Sequence, residues 1–292
     1  MSFWQMQLTK WIDLACRMEV MCAKPGNVCP GHDFADAGVS DFLRSAALAS
    51  APMASACEQP LGRSIRNAVS ATRSQVSHNT NLGIILLITP LAAVPPQDSL
   101  AEGIHSVLDK LTIDDSHDVY EAIRIACPGG LGTTDSQDIR QPPTMNLREC
   151  MRLSADIDLI ARQYVNGFEQ VLCDGPDLLR EARRLIDNQP QRITWVALKL
   201  LSRYGDSLIR RKCGEDMSSH VKRLAGEVLL CGWPMETAAH ARYAEFDSFL
   251  RADGHRRNPG TTADLIAAIL FSGLREGWIS PDGDWWVSGD YE

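Results

Sequence analysis

The sequence lacks an excess of positive charge, since 29 lysines and arginines face 37 aspartates and glutamates, for a formal net charge of -8. This acidic balance argues against a nucleic-acid or membrane-surface partner, because both attract basic faces. A membrane-spanning run is also missing: the longest apolar stretch, 83–94, contains Pro90 and is too short to cross a bilayer. The N-terminus shows no charged-then-apolar leader pattern. We therefore predict a cytoplasmic protein that binds neither nucleic acid nor membrane.

Cysteine pairs in metal-binding spacing are absent as well. The nine cysteines are scattered without a C-x-x-C pair, so neither a disulfide framework nor a zinc site is indicated. The common nucleotide motifs are missing too, namely the G-x-x-x-x-G-K-[ST] phosphate loop, the dinucleotide fingerprint and the nucleophile elbow. These absences exclude the common nucleotide-binding folds.

Alternating strand patterns are nearly absent, whereas apolar residues recur at helical spacing along most of the chain. We predict one all-α domain, residues 1–292, of about ten helices with short connections. A long helix is predicted from Leu147 to Leu172, and a short arm or hairpin from Trp278 to Glu292. The stretch after Thr261 is apolar on almost every side and predicts a buried central helix. Thr261 is its predicted N-cap, with Asp264 in the capping-box position.

Five loops combine glycine with an amide, a carboxylate or a cation. A nucleotide site needs these residue types: glycine allows close backbone approach, asparagine binds sugar hydroxyls, and lysine or arginine binds phosphate. The last loop also opens onto a helix N-terminus, where unpaired N–H groups form an anion site. We predict that all five converge on one cleft: Lys24–Asn27, Asn79–Gly83, Gly129–Asp138, Asp206–Lys212 and Asn258–Asp264.

Carboxylates that would serve a phosphate site are the next feature. Such a site usually needs Mg²⁺, held by one or two carboxylates. Spacing does not rank the candidates, which are Asp33, Asp36, Asp118, Asp158 and Asp264. His32 and His78 lie in polar loops, where a structural role is the commoner outcome and a catalytic or sugar-binding role stays open.

Long motifs in the chain carry a family resemblance. They are Glu19-Val20 with Lys24-Pro25-Gly26-Asn27-Val28, then Asn79–Gly83, Pro128–Gly132, Asp206–Lys212 and Asn258–Asp264. From Glu19 to Leu274 the chain resembles the triphosphoribosyl-dephospho-CoA synthase family. The resemblance implies an all-α, Mg²⁺-dependent enzyme that takes ATP and dephospho-CoA. Ribose C1 is joined to a hydroxyl of the acceptor, the triphosphate is kept and adenine is released. The product is the precursor of the prosthetic group of citrate lyase and malonate decarboxylase acyl carrier proteins.

One loop departs from the citrate-lyase members of that family. They carry Asn-Thr-His-Lys-Gly where this chain has Asn79-Thr80-Asn81-Leu82-Gly83. Loss of a phosphate-sized positive charge can change which donor or acceptor fits. This divergence leaves open a phosphoribosyl transfer in the biosynthesis of a methanopterin-type one-carbon cofactor, with phosphoribosyl pyrophosphate as donor.

Residue types then suggest roles for the candidates. Breaking a bond at ribose C1 develops oxocarbenium character, which a carboxylate stabilises, while a second carboxylate takes the acceptor proton. We assign these catalytic roles to Asp33 or Asp36 and to Asp264. Predicted Mg²⁺ ligands are Asp118, Asp158 and Asp264. Predicted substrate-binding residues are Lys24, Asn27, His32, Asn79, Asn81, Arg162, Arg210, Lys212, Asn258, Thr261 and Thr262.

Two other function classes fit the same residues. A helical N-glycosidic hydrolase would use the same carboxylates with water as acceptor. A non-catalytic nucleotide-binding protein would need fewer acid and base groups than these loops supply. The acceptor and the oligomeric state, including a homo-oligomer, stay open.

Overall fold

The computed structural model describes residues 1–129 and 136–280, and within these residues the chain is helical without a β-strand. The predicted all-α class is confirmed, but the predicted count of about ten helices is too low. The described residues form fourteen α-helices: α1 Phe3–Val20, α2 Val39–Ala54, α3 Leu61–Arg73, α4 Leu82–Ala92, α5 Leu100–Asp109, α6 Ile113–Ala126, α7 Leu147–Arg152, α8 Leu159–Asn166, α9 Gly175–Leu185, α10 Gln189–Tyr204, α11 Ser207–Cys213, α12 Glu215–Leu230, α13 Thr237–Arg251 and α14 Gly260–Arg275.

The prediction of one helix from Leu147 to Leu172 is wrong, because the helix is interrupted at two points. The carboxylate of Asp158 accepts from the N–H groups of Ile160 and Ala161 at 2.8 and 3.1 Å, which starts α8 as a new helix. Gly167 and Phe168 then adopt left-handed φ values of 74° and 63°, which end α8. A π-helical turn, Gln170–Asp174, leads into α9.

The most deeply buried helices are α4 and α14, which pack against each other. Every residue from Ile84 to Ala92 and from Leu265 to Leu274 is buried. Their side chains belong to one continuous cluster of buried apolar residues that reaches from Leu8 in α1 to Ile279. This packing brings the first turns of α4 and α14 together, and the candidate site lies there.

Two segments with sequence predictions extend beyond the described residues. The predicted terminal arm, Trp278–Glu292, lies outside the described residues from residue 281 onwards, as do residues 130–135 of the Gly129–Asp138 loop.

Among the helices that the structure describes, none combines the length and apolar character needed to cross a membrane.

Candidate active site

Three helices, α8, α11 and α14, begin at the same place. The N–H of Leu159 donates to Ser207 Oγ at 3.3 Å, and that hydroxyl donates to Thr261 Oγ1 at 3.0 Å. Asp206 Oδ2 accepts from both the N–H and the hydroxyl of Thr262, each at 2.8 Å. A helix N-terminus carries a partial positive charge of roughly +0.5, and the carboxylates of Asp158 and Asp206 accept from the first N–H groups of these three helices.

Asp206, rather than Thr261, satisfies the start of α14. The helix begins at Gly260, and Pro259 before it has no side-chain group that could cap it. The Thr261 hydroxyl accepts from Ser207 instead of capping the helix. The predicted capping box of Thr261 and Asp264 is therefore wrong, because the capping carboxylate comes from a residue 56 positions away. Burial raises the pKa of Asp206, and its hydrogen bonds oppose that rise.

Asp264, in the first turn of α14, lies against Gly83 in the first turn of α4. A Cβ atom built on Gly83 would overlap the Asp264 carboxyl group, so glycine at this position leaves the space that the carboxyl group occupies. Asp264 remains partly exposed, and it has no hydrogen-bond partner among residues 1–129 and 136–280. Burial raises the pKa of Asp264 well above its usual range, and the charges of Glu19, Asp206 and Asp158 add to the rise.

Replacing Gly83 with alanine tests this contact. We expect Gly83→Ala to displace the Asp264 carboxyl group and to lower turnover strongly, since the added methyl group occupies its position. Folding should be maintained, because alanine favours a helix by about 0.5–1 kcal/mol over glycine. Enzyme turnover and thermal unfolding measured on the same preparation check both parts.

Gly226→Ala is the matched control. Gly226 lies in the middle of α12, where an added Cβ would meet only Ser202 Cβ at 3.9 Å, an ordinary van der Waals distance. This variant should keep full turnover and become more stable. Full turnover of Gly83→Ala would contradict the assignment of Asp264 to the reacting centre.

Three other glycine-containing loops contact the Asn258–Asp264 loop. Asn27 Nδ2 donates to Pro259 O at 3.1 Å, and Lys212 Nζ donates to Asn258 Oδ1 at 3.2 Å. The Asn79–Gly83 loop reaches it through the contact of Gly83 with Asp264. The Gly129–Asp138 loop lies partly outside the described residues, but Gly129 is beside Lys212. The sequence motifs therefore meet around the first turn of α14.

This arrangement can be compared with known proteins. Residues 5–281 match the model of a family described as CitG: ATP:dephospho-CoA triphosphoribosyl transferase. The chain belongs to the CitG family. A protein from Archaeoglobus fulgidus, whose crystal structure is proposed to be that of a triphosphoribosyl-dephospho-CoA synthase, is 28% identical with a TM-score of 0.63, over 81% of this chain and 100% of that chain. No protein of curated function matches significantly.

Family membership makes the protein a pentosyltransferase of the triphosphoribosyl-dephospho-CoA synthase type.

Within this CitG-family fold, the Lys24 side chain points into the protein. Its Nζ atom donates to Glu19 Oε1 at 3.0 Å, to Cys22 O at 2.9 Å and to the Glu19 carbonyl oxygen. An ammonium group has three donors, and these three acceptors occupy them all. Lys24 therefore holds its own loop together in the structure and presents no free donor to a phosphate.

Arg162 and Arg210 lie beside the N-termini of α8 and α11. Arg162 donates to the carbonyl oxygens of Ala155 and Asp156 at 3.0 and 3.2 Å, and Arg210 pairs with Glu215 at 2.5 Å. Both line a small polar cavity of about 50 Å³. These two cations brace the loop between α7 and α8.

Arg211 and Lys212 contact residues at the starts of α8 and α14. Arg211 Nη1 lies 3.6 Å from Asp158 Oδ2, and its charge opposes the rise in the pKa of Asp264. Burial and the neighbouring Arg211 charge lower the pKa of Lys212. Lys212 was predicted from sequence as a substrate-binding residue, whereas Arg211 of the same basic stretch was not.

Asp118 is held away from these groups. It lies on α6 and pairs with two arginines of α3, with Oδ1 2.5 Å from Arg66 and Oδ2 3.7 Å from Arg63. Asp158, in contrast, acts on Asp264 through its charge. The structure thus associates Asp158 and Asp264 but gives Asp118 a bridging position between α3 and α6.

The Cys29–Ala37 loop carries Asp33, Asp36 and His32. Asp33 Oδ1 accepts from the N–H of Val39 at 2.9 Å at the start of α2. Asp36 is exposed, and its charge reaches both Lys212 and His255. His32 is exposed in a turn where its backbone pairs with Cys29. Asp36 is therefore the carboxylate of this loop that faces the basic residues of the site.

Two of the predicted asparagines shape the α4 N-terminus. Asn79 Oδ1 accepts from the N–H of Leu82 at 3.1 Å, and Asn81 Nδ2 donates to Thr72 Oγ1 at 3.2 Å in a buried position. These bonds fix the turn that places Gly83 against Asp264. The loop was predicted as part of the site from sequence, but no role was predicted for Glu19 or His255, whose proximity to it depends on tertiary packing.

Proposed function

We propose that this CitG-family protein transfers the triphosphoribosyl group of ATP to a hydroxyl of dephospho-CoA and releases adenine. The observation that carries the proposal is the meeting of helix N-termini and basic residues around the partly exposed, unpartnered carboxyl group of Asp264. The positive ends of these helices and the cations Arg211 and Lys212 favour a polyphosphate nearby. The family match supports ATP and dephospho-CoA as the substrates.

We propose Mg²⁺ as a companion of the phosphates at this site. No group of three or more metal-ligating side chains occurs in the described part of the chain, and Mg²⁺ usually takes only one or two carboxylates together with substrate phosphates. Asp264 and Asp158 would hold it, and it would supply charge neutralisation to the triphosphate.

The chain's own groups account for the remaining steps. Lys212 and Arg211 bind triphosphate oxygens, and Asn258 orients the ribose through its amide. Asp264, in its ionised form, would stabilise the positive charge that develops at C1 as the bond to adenine breaks. A base on the side of the Cys29–Ala37 loop takes the proton of the acceptor hydroxyl, and Asp36 is the carboxylate available there.

Product analysis tests the proposal directly. The protein is incubated with ATP, Mg²⁺ and dephospho-CoA, and the products are separated and weighed by mass spectrometry. We expect adenine release that depends on dephospho-CoA, with a triphosphoribosyl adduct of the acceptor. Adenine and free ribose triphosphate without the acceptor would indicate hydrolysis. Pyrophosphate release from phosphoribosyl pyrophosphate with a ribitol-bearing pterin, and ATP inert, would overturn the proposal.

Removing the charge of Lys212 is expected to weaken donor binding. Lys212→Ala deletes a charge-assisted phosphate contact, worth roughly 1.5–3 kcal/mol, or about a 10- to 100-fold rise in the Kd for ATP. Binding calorimetry and thermal unfolding are measured side by side. Lys222→Ala, in α12, is the control and should leave ATP affinity unchanged. Unchanged affinity in Lys212→Ala with a large fall in melting temperature would make Lys212 a structural residue.

A further inference from the structure

His255, in the turn between α13 and α14, has an unusual backbone conformation and a buried ring nitrogen without a partner in the described residues. Its φ is 63°, in the left-handed region that non-glycine residues rarely adopt. Its Nδ1 atom is buried and has no hydrogen-bond partner in the described residues. Strained backbone and an unsatisfied buried polar atom both concentrate at functional sites.

The turn is fixed to the candidate site from two sides. The His255 carbonyl accepts from the N–H of Asn258 at 3.2 Å, and Arg256 donates to the carbonyl of Lys212 at 3.0 Å. The imidazole ring packs on Phe34 with the ring centroids 4.1 Å apart. His255 therefore joins the Cys29–Ala37 loop, which carries Asp36, to the loop that carries Asn258.

The charges around His255 favour a neutral ring at neutral pH. Burial and the charge of Arg251 at the end of α13 lower the pKa of His255, whereas Asp36 of the facing loop and Asp253 of its own turn oppose that change. A neutral imidazole can accept a proton at neutral pH, and imidazole is a stronger base than a carboxylate. Asp36 is such an exposed carboxylate.

We infer that His255 is the base that accepts the proton of the acceptor hydroxyl, with Asp36 stabilising the imidazolium that forms. This inference rests on the proposed function. The acceptor oxygen forms a bond to ribose C1 as its proton passes to the imidazole. The bond from C1 to adenine breaks, its electron pair leaves with adenine, and adenine takes a proton from solvent. The imidazolium returns its proton to solvent, so the site is regenerated.

His255→Gly is the decisive variant, because glycine adopts a left-handed φ without strain. The variant should fold and bind ATP as the wild type does, but its kcat for transfer should fall by about 100-fold or more. Added imidazole should restore part of the lost rate. The acidic limb of the wild-type pH–rate profile, which reports the base, should disappear in the variant. His240→Gln, at an exposed position of α13, should match the wild type.

Phe34→Leu separates packing from proton transfer. It loses the ring contact with His255 but keeps the imidazole, so it should retain the acidic limb and gain nothing from added imidazole. The inference is overturned if His255→Gly transfers at the wild-type rate. It is also overturned if both His255→Gly and Phe34→Leu lose rate and added imidazole rescues neither. Wild-type transfer is measured first, and its absence would instead overturn the proposed function.

Discussion

Asp264→Asn is expected to reduce turnover by at least about 100-fold, the loss that follows removal of one electrostatic group at a reacting centre. The amide keeps the size of the side chain but removes the charge that would stabilise C1 and hold Mg²⁺. Because Asp264 contacts Gly83 and has no hydrogen-bond partner in the described residues, the substitution breaks no bond of the fold. Steady-state kinetics with ATP and dephospho-CoA measure the loss.

The same variant should be more stable than the wild type, and increasingly so as pH rises. Burial raises the pKa of Asp264 above its unfolded value, so the folded state binds more protons than the unfolded state between the two pKa values. Stability is therefore lost as pH rises above the unfolded pKa of about 3.9. Asparagine has no such dependence. Unfolding of both proteins without ligand, from pH 4 to pH 8, measures the difference.

The two measurements together identify a functional carboxyl group. A residue whose removal lowers activity and raises stability is held in an unfavourable position for the sake of the reaction. Unchanged turnover in Asp264→Asn would remove Asp264 from the mechanism. A fall in stability at every pH would show that it is a structural group instead.

The helical class could be predicted because it depends on local pattern. The run from Leu265 to Leu274 is apolar in sequence and buried in the structure. The helix from Leu147 to Leu172 failed for the same reason: apolar spacing continues across the break, whereas the break depends on the Asp158 cap and on the left-handed Gly167 and Phe168. Periodicity does not report a cap that interrupts it.

The composition of the site was easier to predict than the roles of its residues. Glycine, asparagine and cations in loops indicated Gly83, Asn258 and Lys212, which lie together around α14. Residue type could not show that Asp206 caps α14 from another helix, or that two arginines bind Asp118. Such assignments need the partner, and the partner is distant in sequence.

The role predicted for Lys24 from its residue type differs most from its environment in the structure. Its substitution is expected to have a large effect on stability. In the Lys-Pro-Gly-Asn turn it suggested an exposed phosphate ligand, but both its side chain and that of Glu19 are buried. Removing one partner of a buried ion pair typically destabilises a protein by about 3–5 kcal/mol. We expect Lys24→Met to lower stability by an amount in this range.

The control for Lys24→Met is Lys199→Met. Lys199 Nζ pairs with Glu181 at 3.2 Å, but this pair is partly exposed to solvent, and its loss should change stability by no more than about 1 kcal/mol. The double variant Lys24→Met, Glu19→Gln should recover part of the lost stability, since no charge is then left buried. Chemical denaturation of the four proteins measures these differences.

The pH dependence separates the ion pair from simple packing. Burial raises the pKa of Glu19, and Lys24 opposes that rise. Without Lys24 the pKa rises further, so the destabilisation should grow as pH increases from 5 to 8, and it should lose this dependence in the double variant. Because Glu19 also acts on Asp264, Lys24→Met should alter turnover through Asp264. A higher Kd for ATP with unchanged stability would instead make Lys24 a phosphate ligand.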